Sequence, residues 1–481
     1  MEKVKGVIGR EYEIDLLRKM YEQDEAQLIA VYGRRRVGKT YLVKRFFDDR
    51  FDFAFTGSYN TSTTVQLALF SQTLREYGAE VKKTVKTWFD AFSVLRDHLM
   101  SCGKKRMVVF LDEIPWMDNA KSNFLPAFSF FWNTWGSTCE GLKVVVCGSA
   151  TTWMLDKFIG DKGGLYGRTN RSIYLAPFTL HETEQFLQSH NIVWNRFQIA
   201  ENYMIMGGIP YYLGMIDPSL PIDVNVNKLF FSSGAPLRME YDFLFRTLFK
   251  EAQLYRGIVE TLAKKAKGLT QIEIKEAMKL KDGGELSVVL NNLQKCDFIR
   301  KYSSFGKKEQ GVMYQLTDLF ILFHLHFVKN NNGQDENFWL NVASQAKKTW
   351  QGYAFEMLCL HHIPQIKKRL GISGVLTNSC SWQTRPTTDK DGTKWDGAQI
   401  DLLLERADNT VNLCEMKFAD EEYVITRSYE ELLRKRAEIF RHHTKCKAAT
   451  PVTFITTYGL KTNMNANAYV PYQVVLDDLF E

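Results

Sequence analysis

The sequence predicts an α/β protein of several domains, on three observations. An apolar run at 27–32 leads into a glycine-framed loop and then into a helical pattern at 40–47. Two further apolar runs, 106–113 and 142–150, have strand length and end in polar residues. The chain has 481 residues, more than one hydrophobic core holds.

Composition narrows the class. Hydrophobic residues make up 45% and charged residues 24%, as in ordinary globular chains. No run reaches the length of a membrane-spanning helix, and the first residues, MEKVKGVIGREYE, lack a signal-peptide core. The eight cysteines are scattered without a CxxC pair, which argues against a zinc site or a disulfide framework and fits a reducing cytoplasm. A net charge of +7 is compatible with a polyanionic partner without establishing one.

Gly33-Arg34-Arg35-Arg36-Val37-Gly38-Lys39-Thr40 fits G-x-x-x-x-G-K-[ST] at each fixed position, between a strand and a helix. Gly33 and Gly38 let backbone N–H groups turn around a phosphate. Lys39 brings a charge to the β- and γ-phosphates of ATP, and the Thr40 hydroxyl is a Mg²⁺ ligand. Arg34, Arg35 and Arg36 are either extra anion contacts or a solvated basic bump, the second for at least two of them. The run Arg106–Glu113 supplies the acidic strand such a loop requires. Asp112 would hold Mg²⁺ through water, and Glu113 would polarise the attacking water. Ser149, ending the third strand, either senses the γ-phosphate or the water, or is an ordinary strand-end cap.

Three further segments carry a resemblance. Gly9-Arg10-Glu11 precedes the loop, Gly164-Leu-Tyr-Gly-Arg168 is followed by Ile173–Phe178, and Met206-Gly-Gly-Ile-Pro-Tyr-Tyr212 comes later. Together they resemble the STAND branch of the AAA+ ATPases, in particular the archaeal-type ATPase family whose members carry a winged helix and a further C-terminal domain. The resemblance implies that Arg10 contacts the nucleotide. It implies that Arg168 is an arginine finger, with Arg171 second; either could instead be a plain surface arginine. A finger acting in trans would need a neighbouring subunit. The resemblance places a P-loop AAA+ core at 1–178 and a helical lid at 179–240. The Gly207–Pro210 turn suits a lid hinge, since paired glycines admit positive φ and proline fixes the exit.

Residues 241–330 read as helices at 254–262, 271–278 and 285–293 followed by a hairpin, the order of a winged helix. Its recognition helix would be 284–296, with Lys301, Lys307 and Lys308 on the wing. The functional reading is DNA binding; the alternative is packing or dimer contact, since that helix offers no row of arginines.

Residues 331–481 hold the third candidate site. Lys394–Leu404 and Val411–Lys417 read as two strands that place Asp401, Glu415 and Lys417 on a hairpin. Lys417 shares a strand face with Glu415, two residues earlier. Asp401 and Glu415 would hold one Mg²⁺, and Lys417 would orient water or steady developing charge. A helix from Trp350 brings Glu356, and a helix at 428–440 and a strand at 451–457 follow. The set resembles the PD-(D/E)xK nuclease core in its α-β-β-β-α order; the alternative is a degenerate nuclease fold kept for binding or packing. The tandem histidines 361–362 and 442–443 are not chelates, because helix neighbours do not share a face. His324 and His326 read as core or interface groups, and the aromatic cluster 124–135 as packing.

The combined expectation is an ATP–Mg²⁺-dependent, DNA-directed switch ending in a restriction-endonuclease-like α/β domain. A homo-oligomer or a protein partner is possible, and no membrane is expected. The alternative is a non-nucleolytic regulatory or scaffold ATPase with an inert C-terminal domain.

Overall fold

Five segments form the first sheet, and the three central ones are apolar and buried on both faces, the pattern a parallel sheet covered by helices requires, while the two edge strands are partly exposed. The five are β1 (Gln27–Tyr32), β2 (Phe53–Thr56), β3 (Met107–Asp112), β4 (Leu142–Gly148) and β5 (Arg171–Tyr174). All pair in parallel, in the order β2-β3-β4-β1-β5. The computed structural model describes residues 4–82, 84–160, 167–280, 284–306, 311–331 and 333–481, with the backbone alone at 467 and 468. The chain divides into two units, Met1–Pro177 with Ile209–Tyr211, and Phe178–Gly208 with Tyr212–Glu481.

In the first unit, helices Thr63–Glu76, Trp88–Cys102 and Phe124–Thr134 pack one face of the sheet. Thr87 and Asp90 close a capping box at the start of the second, which satisfies otherwise unpaired N–H groups. The aromatic cluster is packing, as expected: Phe124, Phe128, Phe131 and Trp132 are buried, and Trp135 lies against them. Phe130 is the exception, at 58% exposure. On β4, Lys143 is fully buried and its ammonium donates to the carbonyls of Gln23 and Glu25, at 2.5 and 2.6 Å.

The second unit begins with helices Leu180–Ser189 and Arg196–Met206. Gly207 and Gly208 both have φ of 66°. A Cβ at Gly208 would lie 2.3 Å from the Phe178 carbonyl oxygen, so the turn needs glycine there. Helices Ala252–Ala263, Gln271–Met278 and Glu285–Lys295 then accompany β6 (Leu269–Thr270), β7 (Ile299–Ser303) and β8 (Val312–Leu316). These strands pair antiparallel in the order β6-β8-β7. Lys301 is exposed on β7; Lys307 and Lys308 lie outside the described residues.

The last sheet differs in detail from the expectation. The helix bearing Glu356 starts at Ser344, not at Trp350. A strand unread from the sequence, β9 (Thr377–Thr384), follows; its buried side chains are Cys380 and Trp382. Lys394–Leu404 is two strands rather than one. The pair Lys394–Trp395 (β11) joins Thr387–Thr388 (β10), and β12 starts at Ala398 and runs to Arg406. The break falls at Gly397, where a Cβ would meet Pro386 and the Thr384 carbonyl at 3.1 and 3.2 Å. The strands β13 (Thr410–Lys417), β14 (Val452–Thr456) and β15 (Tyr472–Val475) complete the order β15-β14-β13-β12-β9. Pairing is antiparallel from β9 to β13 and parallel from β13 to β15. Helix Arg427–Thr444 makes the crossover between β13 and β14. His324 and His362 are buried, and burial lowers each ring's proton affinity to a pKa of about 4. His362 is a cap: Nδ1 donates to the Leu358 carbonyl, leaving Nε2 to accept the Leu180 N–H at 3.1 Å.

Candidate functional sites

In the first unit, β1 ends where the loop 33–38 begins, and positive-φ residues shape the loop: Gly33 (146°), Arg36 (71°) and Gly38 (92°). Such alternation turns successive N–H groups toward one point, a concavity suited to an anion. At Gly33 a side chain is excluded, since a Cβ would sit 2.3 Å from the Leu175 carbonyl oxygen. Gly38 has no such neighbour within 4 Å, so its requirement is conformational.

The arginines of the loop correct one expectation: they do not form a solvated bump. Arg34 is 4% exposed, and Arg36 lies over the Tyr211 ring with its guanidinium carbon 4.1 Å from the centroid. Stacking on a residue distant in sequence removes that charge from the bare tip. Lys39 is buried, and its ammonium donates to the carbonyls of Gly33 and Arg34 at 3.0 and 2.9 Å. Burial lowers its pKa, opposed by the nearby Glu113 and Asp112.

The sheet order sets β4 between β1 and β3, so the acidic end of β3 and the end of β4 meet beside the loop. Thr40 Oγ1 donates to Asp112 at 2.8 Å, and the Glu113 N–H donates to the other Asp112 oxygen at 3.0 Å. Burial, then the Glu113 charge, push Asp112 up to about 6. A buried carboxylate in that condition gains from a cation placed beside it, so Thr40 and Asp112 fit a Mg²⁺ seat. Glu113 has φ of 50°, an uncommon conformation that concentrates at functional positions. Its carboxylate accepts from the Ser149 N–H at 3.0 Å and the Ser149 hydroxyl at 2.7 Å. Ser149 therefore does more than cap its strand: it fixes the direction of Glu113.

Arg10 also has positive φ (63°) and is 5% exposed. Its guanidinium donates to the Ala176 carbonyl at 2.8 Å and, at 3.4 Å, to that of Val37 inside the loop. Arg168 is not brought to the loop of its own chain. Arg171 pairs with Ile29 and Tyr174 with Tyr32, so Arg168 precedes β5 at the sheet edge opposite the loop. Both Arg168 and Arg171 are exposed.

In the second unit, the four residues read from the sequence do meet. Glu356 is pushed up to about 8 by burial, then by Asp401 and Glu415, with Lys417 and Lys267 opposing. Leu402 faces Cys414 across antiparallel β12 and β13, so Asp401 and Glu415 lie next along on the same side of that registered pair. Between Ile400 and Leu403 the pairing of β12 with β9 shifts register, and a bulge of this kind re-aims side chains next to sites. Lys417 and Glu415 are 2.8 Å apart.

Sequence reading missed the residues that engage these carboxylates. Arg436 donates to Glu415 at 3.2 Å, Tyr429 donates to it from the same helix, and Gln399 donates to Asp401. Tyr429 and Arg436 are two helical turns apart, and Gln399 shares a strand face with Asp401, so both signals were available. Among the described residues no group of three or more His, Cys, Asp or Glu side chains is gathered as a ready metal cage.

Among the described residues no helix is long and apolar enough to cross a membrane. The chain is 24% identical over 441 residues to an uncharacterized protein of Methanocaldococcus jannaschii, covering 89% of this chain and 91% of that one. Its similarity to a Walker-type ATPase of Pyrococcus abyssi is 18% identity over 68% of this chain and 98% of that one, with a TM-score of 0.45. For the ORC2 protein of Aeropyrum pernix in ADPNP–ADP complexes the values are 13%, 69%, 96% and 0.45. Residues 8–216 match the family described as the ATPase domain predominantly from Archaea. With the loop, the acidic strand end and the parallel sheet in place, the N-terminal part of the chain is a P-loop ATPase domain of archaeal type.

Proposed function

We propose that the protein is an ATP-binding and ATP-hydrolysing switch of the STAND/AAA+ kind, directed to DNA, whose nucleotide state controls a PD-(D/E)xK-type C-terminal domain. The observation that carries the ATPase half is the linked set Thr40–Asp112 and Glu113–Ser149 beside a buried Lys39. Gly33, Gly38 and Lys39 hold the phosphates, Arg10 braces the loop, and Thr40 with Asp112 holds Mg²⁺. That ion would neutralise phosphate charge when bound. Glu113, aimed by Ser149, takes the proton of the attacking water. Exposed and remote from its own loop, Arg168 serves a neighbouring copy of the chain. Residues 179–240 act as lid, 241–330 as a winged helix, and 331–481 as the nuclease-like domain.

In that last domain Glu356, Asp401, Glu415 and Lys417 carry the cleavage chemistry, with Mg²⁺ between Asp401 and Glu415. A buried Glu356 whose proton affinity is raised by burial and by the neighbouring Asp401 and Glu415, beside a lysine, is the electrostatic arrangement a divalent ion relieves. Plasmid cleavage with Mg²⁺ or Mn²⁺, with and without ATP, tests both halves. Wild type should nick or cut, Lys417→Ala should not, and Lys39→Ala should lose any ATP dependence. No cutting under any condition, with ATP hydrolysis intact, refutes the nuclease half.

One observation favours a second reading, a regulatory ATPase with an inert C-terminal domain. Glu415 is already engaged by Lys417, Arg436 and Tyr429, so its charge is neutralised within the protein. Mn²⁺ binding that Glu415→Ala leaves unchanged would support it.

A further inference from the structure

Beside the four C-terminal residues lies a cavity of about 420 Å³, lined among others by Lys267, Gln383, Asp396, Gln399, Lys435 and Arg436. Gln399 and Arg436 are the residues that hold Asp401 and Glu415. The cavity is therefore separated from those carboxylates only by the side chains that hold them. Its lining carries three cations against one acid, Asp396, and that acid is paired with Lys435.

Lys267 comes from a different part of the unit, the segment just before β6. Its ammonium donates to Gln383 Oε1 on β9 at 2.7 Å, a neutral partner. It is close enough to Asp401 and Glu356 for both to favour its charged form, against the burial that lowers its pKa. Its backbone is clamped from the β7–β8 hairpin. Tyr302 Oη donates to the Lys267 carbonyl at 2.6 Å, and Gln315 donates to that of Ala266 at 2.5 Å. Gly268 follows at φ of 81°, where a Cβ would lie 2.0 Å from the Tyr314 carbonyl oxygen. The hairpin in turn is docked on the last sheet: the Phe305 N–H donates to the Ser381 carbonyl at 3.0 Å, and the Phe305 ring lies 5.0 Å from that of Phe440. A lysine on a bent, braced segment, within electrostatic reach of another element's carboxylates, is held there by several independent contacts.

We propose that this cavity seats a backbone phosphate of bound DNA and that Lys267 contacts it, so that the C-terminal site is a composite of the three-helix block and the nuclease-like sheet. The proposal rests on the DNA-directed reading of the C-terminal domain, but it does not require that the domain cuts. A lysine that neutralises one phosphate contributes about 0.9 to the slope of log affinity against log salt.

The test is fluorescence anisotropy of a labelled DNA duplex with the full chain in EDTA, over a salt series. Lys267→Gln should reduce the slope by about 0.9, so its deficit relative to wild type shrinks about threefold to fourfold over a fourfold rise in salt. Lys267→Arg, which keeps the charge, should retain the wild-type slope. A wild-type slope in Lys267→Gln overturns the proposal. So does an equal loss in both variants, which would make Lys267 a packing residue, and so does absence of DNA binding by wild type. The Lys417→Ala cleavage assay separates the two readings. Cutting that needs Lys417, with no slope change at Lys267, refutes the composite site alone. A slope change without any cutting refutes only the nuclease chemistry.

Discussion

Glu356→Gln isolates the electrostatics of the C-terminal site. In the folded chain this carboxyl is pushed from 4.5 to about 8, first by burial and then by Asp401 and Glu415. A folded value above the unfolded one means that the native state prefers the proton. The stability this gives is fully present below about pH 4.5 and is lost as pH rises through about 8. The displacement corresponds to about 5 kcal/mol across that window. Glutamine keeps the shape and cannot ionise, so the variant escapes the loss. The melting temperature of the second unit's transition, followed without divalent ions, should be similar for the two proteins near pH 5. Near pH 9 the variant should be higher by roughly 8 °C for a unit of this size. Added Mg²⁺ or Mn²⁺ should narrow the gap at high pH by stabilising wild type, because a cation offsets the same repulsion. If the difference between variant and wild type does not grow with pH, the carboxyl is not held among like charges and the reasoning fails.

Three further outcomes follow from the same geometry. Lys39→Ala should weaken ATP binding about a hundredfold, the loss of charge-assisted contacts to phosphate, read by calorimetric titration; unchanged affinity would remove the nucleotide site. Ser149→Ala releases one of the two anchors of Glu113 and should lower the hydrolysis rate about tenfold with little change in KM, whereas a mere strand cap would leave turnover intact. Gly208→Ala places a Cβ 2.3 Å from the Phe178 oxygen at a positive φ, and should destabilise the second unit by about 1–3 kcal/mol in denaturant titration; a neutral effect would mean that the turn relaxes freely.

The residues legible in the sequence are those whose chemistry is local. Gly33, Gly38, Lys39 and Thr40 are contiguous, and the conformations that make them useful are set within the same few residues. Asp112 and Glu113 were legible because an apolar strand delivers them, and Glu415 and Lys417 because they share a strand face. What stayed hidden depends on pairing across the chain. The strand β9 is mostly polar, and only Cys380 and Trp382 bury, so it lacks the apolar run that marked the others. The break at Gly397 comes from contact with Pro386 and Thr384, which no reading of Lys394–Leu404 alone contains. The loop arginines were misread for the same reason: charge at a tip suggests solvation until Tyr211 comes beneath Arg36.

Motifs, then, name the carboxylates but not their charge balance. At Asp112 the opposing influences, Thr40 and Lys39, belong to the motif itself, so the sequence was enough to place a cation there. In the second unit Lys417 belongs to the motif, while Arg436, Tyr429 and Lys267 arrive from a helix and a hairpin-braced segment outside it. Whether Glu415 faces a metal or stays with Arg436 is decided by those outside groups. The intact motif therefore argues for the nuclease fold more strongly than for its activity, and the activity turns on residues that the motif does not contain.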